Sequence, residues 1–428
     1  MSFAPHNWKA DFMRLWWKER RAQWDLWADG TDRDVTSLDA QLHQLCRDSA
    51  SLIEAEPGRA GELWRRRAAR VLVDSHPEVS ARRNRIDRAF FVENRRDDPG
   101  TVRRHVLELM SLRDSAARDL GHASYPALVM WDEEVDLQTV RRLITDIVRR
   151  QADERRDAMA RLGLHELTDW FPRLHDVDIA PSPFEVEPLA RRTLDGIGLS
   201  QALPRICFHV RPGRTSGFVL DCGPADIRLF LSRSADPLLL FHELGHAVGR
   251  TLIAGPDIER LLPTSTDETF AQTLELIAAQ TAEFDAIYED PHEARRAQRI
   301  RDVLENARLF ASFEFEMKLW QNRSQPEKLY RDCYAEVGID VADETRWPLD
   351  SFRSLDPLYV HNYIMGRTVG AATLAYLRES VSRDPSPAWG QWLIASYYRD
   401  GARTSLPDKT AHLGPADPLS GPSQHTTP

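Results

Sequence analysis

One segment of the 428-residue chain, 238–248, constrains its fold more than any other. Its sequence, LLLFHELGHAV, surrounds His242, Glu243 and His246 with apolar residues. Because a helix has about 3.6 residues per turn, a spacing of four places both histidines on one face. A helix that is apolar on all sides needs burial, and buried imidazole nitrogens need hydrogen-bonding partners. The segment therefore predicts an interior helix with a polar site on one face.

Helical periodicity also dominates the rest of the chain, which predicts a mainly α fold. The predicted helices cover 11–27, 35–55, 61–74, 101–120, 237–253, 266–282, 292–322 and 358–382. Three short segments rich in Val, Ile, Phe and Leu precede the central helix, at 205–211, 216–222 and 226–232. Pro-Gly and Gly-Pro turns separate them, so we expect a small antiparallel β-sheet directly before that helix.

The predicted domain organisation depends on a change of composition near residue 163. Residues 163–188 contain four prolines, which is typical of an irregular crossing between two halves of a protein. We therefore expect an N-terminal helical region over 1–162 and a second region over 163–404 that carries the sheet and the central helix. The last residues, 405–428, are rich in Pro, Ser, Thr and Gly, and we expect a flexible tail there.

Composition excludes several classes of function. The formal net charge of −10 and the lack of a basic block interleaved with aromatics argue against nucleic-acid binding. The four cysteines form no Cys-x-x-Cys pair, which argues against a thiolate metal site or a disulfide framework. No apolar run approaches membrane-spanning length, and the first residues lack the apolar core of a signal peptide. We therefore expect a soluble, cytoplasmic protein that does not bind membranes.

His242 and His246 are candidate metal ligands, with Glu243 as a candidate general base. Two neutral imidazoles one helical turn apart can bind one tetrahedral zinc ion, and the carboxylate beside the first ligand can reach a water molecule at the metal. A catalytic zinc also takes a third protein ligand. Glu268 and Glu275 lie seven residues apart, on one face of the predicted helix 266–282, and either can supply it. If Glu268 binds, Glu275 can accept a hydrogen bond from a ligand histidine and fix its tautomer.

The competing interpretation of these residues involves no metal. In it, the two histidines lie unpaired on a surface helix, and the two glutamates are ordinary exposed helix carboxylates. The aliphatic surroundings of the histidines favour the metal site, because a buried imidazole without a partner is costly.

The combined pattern resembles the thimet oligopeptidase and oligopeptidase F family of zinc metallopeptidases. In that family the motif is His-Glu-x-Gly-His, with a glutamate on a following helix as third ligand, and this chain has Gly245 and Glu268-x-x-x-Gln272-x-x-Glu275. Looser similarity covers 112–128 and 356–366. The resemblance implies a two-lobed helical peptidase whose deep cleft admits peptides and excludes folded proteins. It also implies one Zn²⁺ per chain, held by His242, His246 and Glu268.

The resemblance further implies roles for residues around the metal. Tyr363 is expected to donate its hydroxyl to the oxyanion of the substrate, and Tyr359 and His361 are candidates for oxyanion or substrate contacts. A strand over 215–220, with Ser216 and Gly217, is expected to pair with an extended peptide by strand addition.

The chain departs from the family pattern shortly before these tyrosines. Relatives commonly carry a histidine there, whereas this chain has the sequence Asp-Ser-Phe-Arg at 350–353. Arg353 or His361 are the candidates to replace that histidine.

Three functions are compatible with these observations. The first is a general zinc peptidase for short unfolded peptides. The second is a related hydrolase dedicated to one peptide or amide substrate in a specialised pathway. The third is a non-catalytic helical module that keeps a structural metal, which predicts a damaged general base, whereas Glu243 is intact.

Overall fold

The computed structural model describes residues 7–419, apart from 32, 34, 94–97, 176, 178, 213–215, 233–235, 351–352, 354 and 417. The fold is 74% helical, which confirms the predicted mainly α class. Within the described ranges, no helix is both long and apolar enough to cross a membrane.

The helices before the sheet occupy most of the first half of the chain. They are α1 (Trp8–Asp29), α2 (Val35–Asp48), α3 (Ala50–Ala55), α4 (Gly58–Asp74), α5 (Pro77–Asp87), α6 (Pro99–Asp119), α7 (Tyr125–Glu133), α8 (Leu137–Arg150), α9 (Ala152–Leu162), α10 (Trp170–His175) and α11 (Val186–Ile197). The helices after the sheet are α12 (Pro237–Leu252), α13 (Thr264–Ala278), α14 (Ala282–Asp285), α15 (Pro291–Gln321), α16 (Pro326–Ala335), α17 (His361–Tyr376), α18 (Pro387–Leu393) and α19 (Leu406–Thr410).

The sheet is mixed, and the prediction of an antiparallel sheet is therefore wrong for one of its two pairings. Its strands are β1 (Ile206–Val210), β2 (Gly217–Asp221) and β3 (Ile227–Leu231), in the order β1-β3-β2. β2 and β3 form the expected antiparallel hairpin, whereas β1 pairs parallel with β3. The chain reverses direction between β1 and β2 and again between β2 and β3, so β1 and β3 run in the same direction, and they are neighbours because β3 lies between the other two strands. Short apolar segments predict strands but do not reveal which strands become neighbours.

Two large apolar cores form among the described residues. The first combines α5–α9 with α15, α16 and the start of α17. The second combines α11, the sheet, α12 and α13 with residues 377–398. α17 passes from one core to the other, since Ile364 and Met365 belong to the first core and Leu374 packs against the second.

Regular packing continues beyond residue 405. Leu406 of α19 joins the first core, and Thr410 is fully buried. The Lys409 ammonium donates a hydrogen bond to the carbonyl of Tyr397 at 2.7 Å. Residues 420–428 of the predicted flexible tail lie outside the described residues.

Candidate metal centre

α12 carries the His-Glu-x-x-His motif through the second core. Its start is specified locally, because the Asp236 side chain accepts a hydrogen bond from the Leu239 N–H at 2.6 Å and Pro237 occupies the first turn. Gly245 allows α12 to cross α13 closely. A Cβ atom at Gly245 would lie 2.5 Å from the Cα of Ala271, and this distance is too short for any residue that has a side chain. This close crossing brings the motif to the glutamates of α13.

The structure brings His242, His246 and Glu268 together. The Nε2 atom of His242 lies 3.5 Å from Oε2 of Glu268, and Nε2 of His246 lies 3.5 Å from Oε1 of the same carboxylate. The three candidate ligand atoms all lie within 4.8 Å of one another, and all three residues are buried. Of the two glutamates that the sequence left open, Glu268 is the one that faces both Nε2 atoms.

The chemistry of this triad fits a zinc ion. Bonds of about 2.0–2.1 Å in a tetrahedral site place neighbouring ligand atoms about 3.3 Å apart, close to the 3.5 Å between each Nε2 atom and its nearest Glu268 oxygen. The Oε2 atom of Glu268 is buried and has no hydrogen-bond partner among the described residues. A buried carboxylate oxygen without a donor is costly, and a cation at this point would satisfy it. Two imidazole nitrogens and one carboxylate oxygen are also the donor set of many catalytic zinc sites.

Carboxylates on α13 face the outer nitrogen of each histidine. Nδ1 of His242 is hydrogen-bonded to Oε2 of Glu275 at 3.2 Å, as the sequence predicts if Glu268 is the ligand. Nδ1 of His246 lies 3.1 Å from Oδ2 of Asp267, a residue that the sequence interpretation missed. Both contacts leave the Nε2 atoms directed at Glu268, which is the orientation that metal ligation needs.

These carboxylates give the site an excess of negative charge. Burial by itself lowers the pKa of His242, but the hydrogen bond to Glu275 and the charge of Glu268 together raise it to about 9. For His246, burial again lowers the pKa, and the charges of Asp267 and Glu268 outweigh that effect and raise it. A site that draws protons onto its imidazoles also attracts a divalent cation.

Glu243 lies on the side of the centre that faces the sheet. Its carboxylate is buried, and burial raises its pKa, partly offset by the nearby histidines. A Cβ atom at Gly217, the first residue of β2, would lie 3.0 Å from both Cγ and Oε1 of Glu243. The glycine thus leaves the room that the Glu243 side chain occupies. A raised pKa suits a group that accepts and returns a proton near neutral pH.

Two tyrosines, one just before α17 and one in its first turn, complete the centre. The Tyr359 hydroxyl donates a hydrogen bond to Oε1 of Glu268. The Tyr363 ring lies 6.0 Å from the His242 ring and 5.4 Å from the Tyr359 ring, measured between centroids. Burial, together with the charge of Glu268, raises the pKa of both phenols well above its ordinary value. Both tyrosines are therefore hydrogen-bond donors at neutral pH.

Other predicted site residues lie in different surroundings. His361 is fully buried with its ring 5.3 Å from that of Phe313, and burial lowers its pKa to about 3. Two helical positions before Tyr363, it points to the opposite face of α17 and is enclosed in the protein, which argues against the expected substrate contact. Ser216 is exposed just before β2, where its carbonyl accepts a hydrogen bond from the Ser232 N–H at 2.8 Å.

Arg353 serves the packing of the first core. It pairs with Asp350 at 2.9 Å and donates a hydrogen bond to the Ser312 hydroxyl at 2.9 Å. The side chain is almost fully buried. These contacts anchor the segment before α17 to α15 and keep the Arg353 guanidinium engaged there.

A cavity of about 270 Å³ adjoins the centre. Residues of α1, α2 and α4 line it together with residues of β2, α12 and α13. Asp267 and Tyr359, which contact the candidate ligands, also face this cavity. The N-terminal helices therefore cover part of the space beside the centre.

Comparison with known proteins shows the fold. No family model and no curated protein matches the sequence. Among solved structures, an M32 carboxypeptidase from Deinococcus radiodurans R1 is similar with a TM-score of 0.69 and 14% identity, covering 97% of this chain and 96% of that one. A Bacillus anthracis protein described as an oligoendopeptidase F gives a TM-score of 0.68 and 12% identity, and the match covers 93% of this chain and 85% of that one. PZ peptidase A, solved with an inhibitor, gives a TM-score of 0.70 and 12% identity, and the match covers 99% of this chain and 95% of that one.

Proposed function

We propose that this protein is a zinc-dependent peptidase that hydrolyses peptide bonds of short, unfolded peptides. The observation that carries the proposal is the buried triad of His242, His246 and Glu268 with the Glu243 carboxylate beside it. The shared fold adds support, because the similar structures are named as peptidases. Within these peptidases, the Gly245 match and the spacing of Glu268 and Glu275 favour the thimet oligopeptidase and oligopeptidase F family.

In the proposed mechanism, the residues of this chain move one proton and stabilise one charge. Glu243 accepts a proton from the attacking water and later returns it to the leaving amine. Tyr363 donates its hydroxyl to the oxyanion that forms on the scissile carbonyl. A zinc ion held by the triad would supply Lewis acidity that polarises the carbonyl and acidifies the water. Glu275 keeps the ligand His242 in orientation.

The substrate would lie as an extended chain along β2. This strand is at the edge of the sheet, and its Gly217 borders the general base. Extended peptides bind sheet edges through main-chain hydrogen bonds, which favours unfolded substrates. We propose that residues 1–162 cover the cleft, since α1, α2 and α4 line the cavity beside the centre. Such a cover would exclude folded proteins.

The first test combines metal analysis with hydrolysis of a quenched fluorescent peptide library. We expect one zinc ion per chain and cleavage of several unrelated peptides by the wild type. Glu243→Gln keeps the size of the side chain and removes its basicity, so it is expected to bind zinc normally and lose cleavage. A variant with normal turnover would refute the role of Glu243, and a protein without zinc would refute the proposal.

A dedicated hydrolase is the second candidate function. The observation that favours it is the unreplaced histidine before the tyrosines, because His361 packs against Phe313 and Arg353 pairs with Asp350. The peptide library separates the two candidates. A general peptidase cleaves several of its members, whereas a dedicated enzyme binds zinc and cleaves none of them.

A further inference from the structure

One set of contacts connects the edge strand to a candidate metal ligand. The Arg250 guanidinium donates one hydrogen bond through Nη1 to the carbonyl of Val219 in β2, at 3.0 Å. Through Nη2 it donates to Oδ2 of Asp267. The same Oδ2 atom lies 3.1 Å from Nδ1 of His246, a close charge contact that does not have the angle of a hydrogen bond. Strand, arginine, aspartate and histidine thus form a continuous series.

The Val219 carbonyl lies on the edge of β2 that does not pair with β3. In an antiparallel ladder, successive residues direct their backbone groups alternately toward and away from the partner strand. The Ser216 carbonyl accepts a hydrogen bond from Ser232, the residue directly after β3, and three positions later the Val219 carbonyl points to the other side and accepts a hydrogen bond from Arg250. Arg250 therefore occupies one carbonyl on the edge along which the proposed substrate would pair, and it holds that edge in place while a peptide pairs with the other main-chain groups.

The other histidine lacks such a connection among the described contacts. Nδ1 of His242 donates its hydrogen to Oε2 of Glu275, which belongs to α13. This partner thus holds one ligand without reaching the sheet. This difference supplies a matched comparison between the two histidines.

We propose that Asp267 positions His246 for metal binding and that Arg250 couples this positioning to the substrate edge of β2. Asp267 keeps the Nε2 atom of His246 directed at the metal site. Arg250 holds Asp267 and β2 at a fixed separation. A peptide bound along the edge strand therefore stays at a constant distance from the metal site. The coupling to peptide rests on the proposed function, whereas the positioning of His246 does not.

The test measures zinc affinity and peptide binding separately. Zinc dissociation constants are determined by chelator competition for the wild type and for Asp267→Asn, Arg250→Lys and Glu275→Gln. Peptide binding is measured by fluorescence anisotropy with a fluorescein-labelled octapeptide library on zinc-loaded protein. All binding samples carry Glu243→Gln in addition, so that bound peptides are not cleaved.

The three variants are expected to differ in pattern. Asp267→Asn weakens both zinc binding, by about 10–100-fold, and peptide binding, because it releases His246 and Arg250 together. Glu275→Gln weakens zinc binding to a similar extent and leaves peptide affinity of the zinc-loaded protein unchanged. Arg250→Lys keeps the charge beside Asp267 but cannot bridge to Val219 at the same time. The Arg250→Lys variant is expected to keep a zinc affinity within about threefold of the wild-type value and to bind peptide about tenfold more weakly.

Three results would count against the inference. Wild-type zinc affinity in a folded Asp267→Asn protein would show that Asp267 does not position the ligand. Unchanged peptide affinity in Arg250→Lys, or absence of peptide binding to the parent protein, would remove the coupling. Peptide binding without cleavage by the wild type would instead refute the proposed peptidase activity and leave the inference intact.

Discussion

Gly217→Ala tests whether the position of the Glu243 carboxylate limits the reaction. The added methyl would lie 3.0 Å from Cγ and Oε1 of Glu243 and 3.3 Å from its Cδ. Ordinary contacts between carbon atoms are about 3.5–4.0 Å, so the carboxylate must retreat by about 0.5 Å. Since a misplacement of about 1 Å can cost about 10²-fold in rate, we expect kcat to fall about tenfold. Steady-state hydrolysis of a quenched peptide measures this loss.

The same substitution is expected to spare metal binding and folding. Glu243 is not a candidate ligand, so the zinc dissociation constant should be unchanged. Alanine gains about 0.4–1 kcal/mol over glycine through the unfolded state, which offsets part of the crowding. Gly196→Ala in α11 is the matched control, because its nearest neighbour is the Glu283 carboxylate at 3.9 Å, an ordinary contact. Full kcat in Gly217→Ala, or zinc loss equal to that of a ligand variant, would refute the reasoning.

Three further predictions concern the helices around the centre. Gly245→Ala pushes α12 away from α13, so we expect a loss of about 1–3 kcal/mol in unfolding free energy and weaker zinc binding, measured by denaturation and chelator competition. Tyr363→Phe removes the proposed oxyanion donor, so we expect kcat to fall about 10²-fold with unchanged zinc content; an unaffected kcat would contradict this role. Burial raises the pKa of Glu316 from 4.5 to about 7, although its carboxylate accepts the Leu358 N–H at 2.8 Å. As pH rises from 4.5 to 7 the unfolded chain loses this proton first, so unfolding free energy should fall by about 3 kcal/mol through this group. Glu316→Gln keeps an acceptor and should remove that part of the pH dependence; identical profiles would contradict the assignment.

The central helix and its partner helix could be predicted from sequence because their signals are local. The spacing of His242 and His246 fixes a shared helical face, and the seven-residue spacing of Glu268 and Glu275 does the same on α13. Spacing alone could not decide which glutamate faces the metal. That choice depends on the crossing of α12 and α13, which is a tertiary property.

Other features depend on contacts between distant parts of the chain. The parallel pairing of β1 with β3 has no local signature, because the segment between β1 and β2 does not show which strand becomes the neighbour. Arg250 carried an available signal, since it lies four residues after His246 and hence on the same helical face. Asp267 lies beside Glu268 but one hundred degrees around the helix, and its role became visible only with His246 in place. Helical periodicity also separates His361 from Tyr363, which the shared motif had grouped together.

The first core combines early and late parts of the chain, with much of the second core between them in sequence, and this order has a consequence for biosynthesis. Helices α5–α9 are made early, yet their apolar faces are covered by α15, α16 and the start of α17. During translation these early helices leave the ribosome before the chain that covers them exists. The nascent protein would therefore present apolar surface over the synthesis of more than a hundred residues, a condition in which chaperones commonly engage. A fragment ending near residue 162 would keep that exposure permanently.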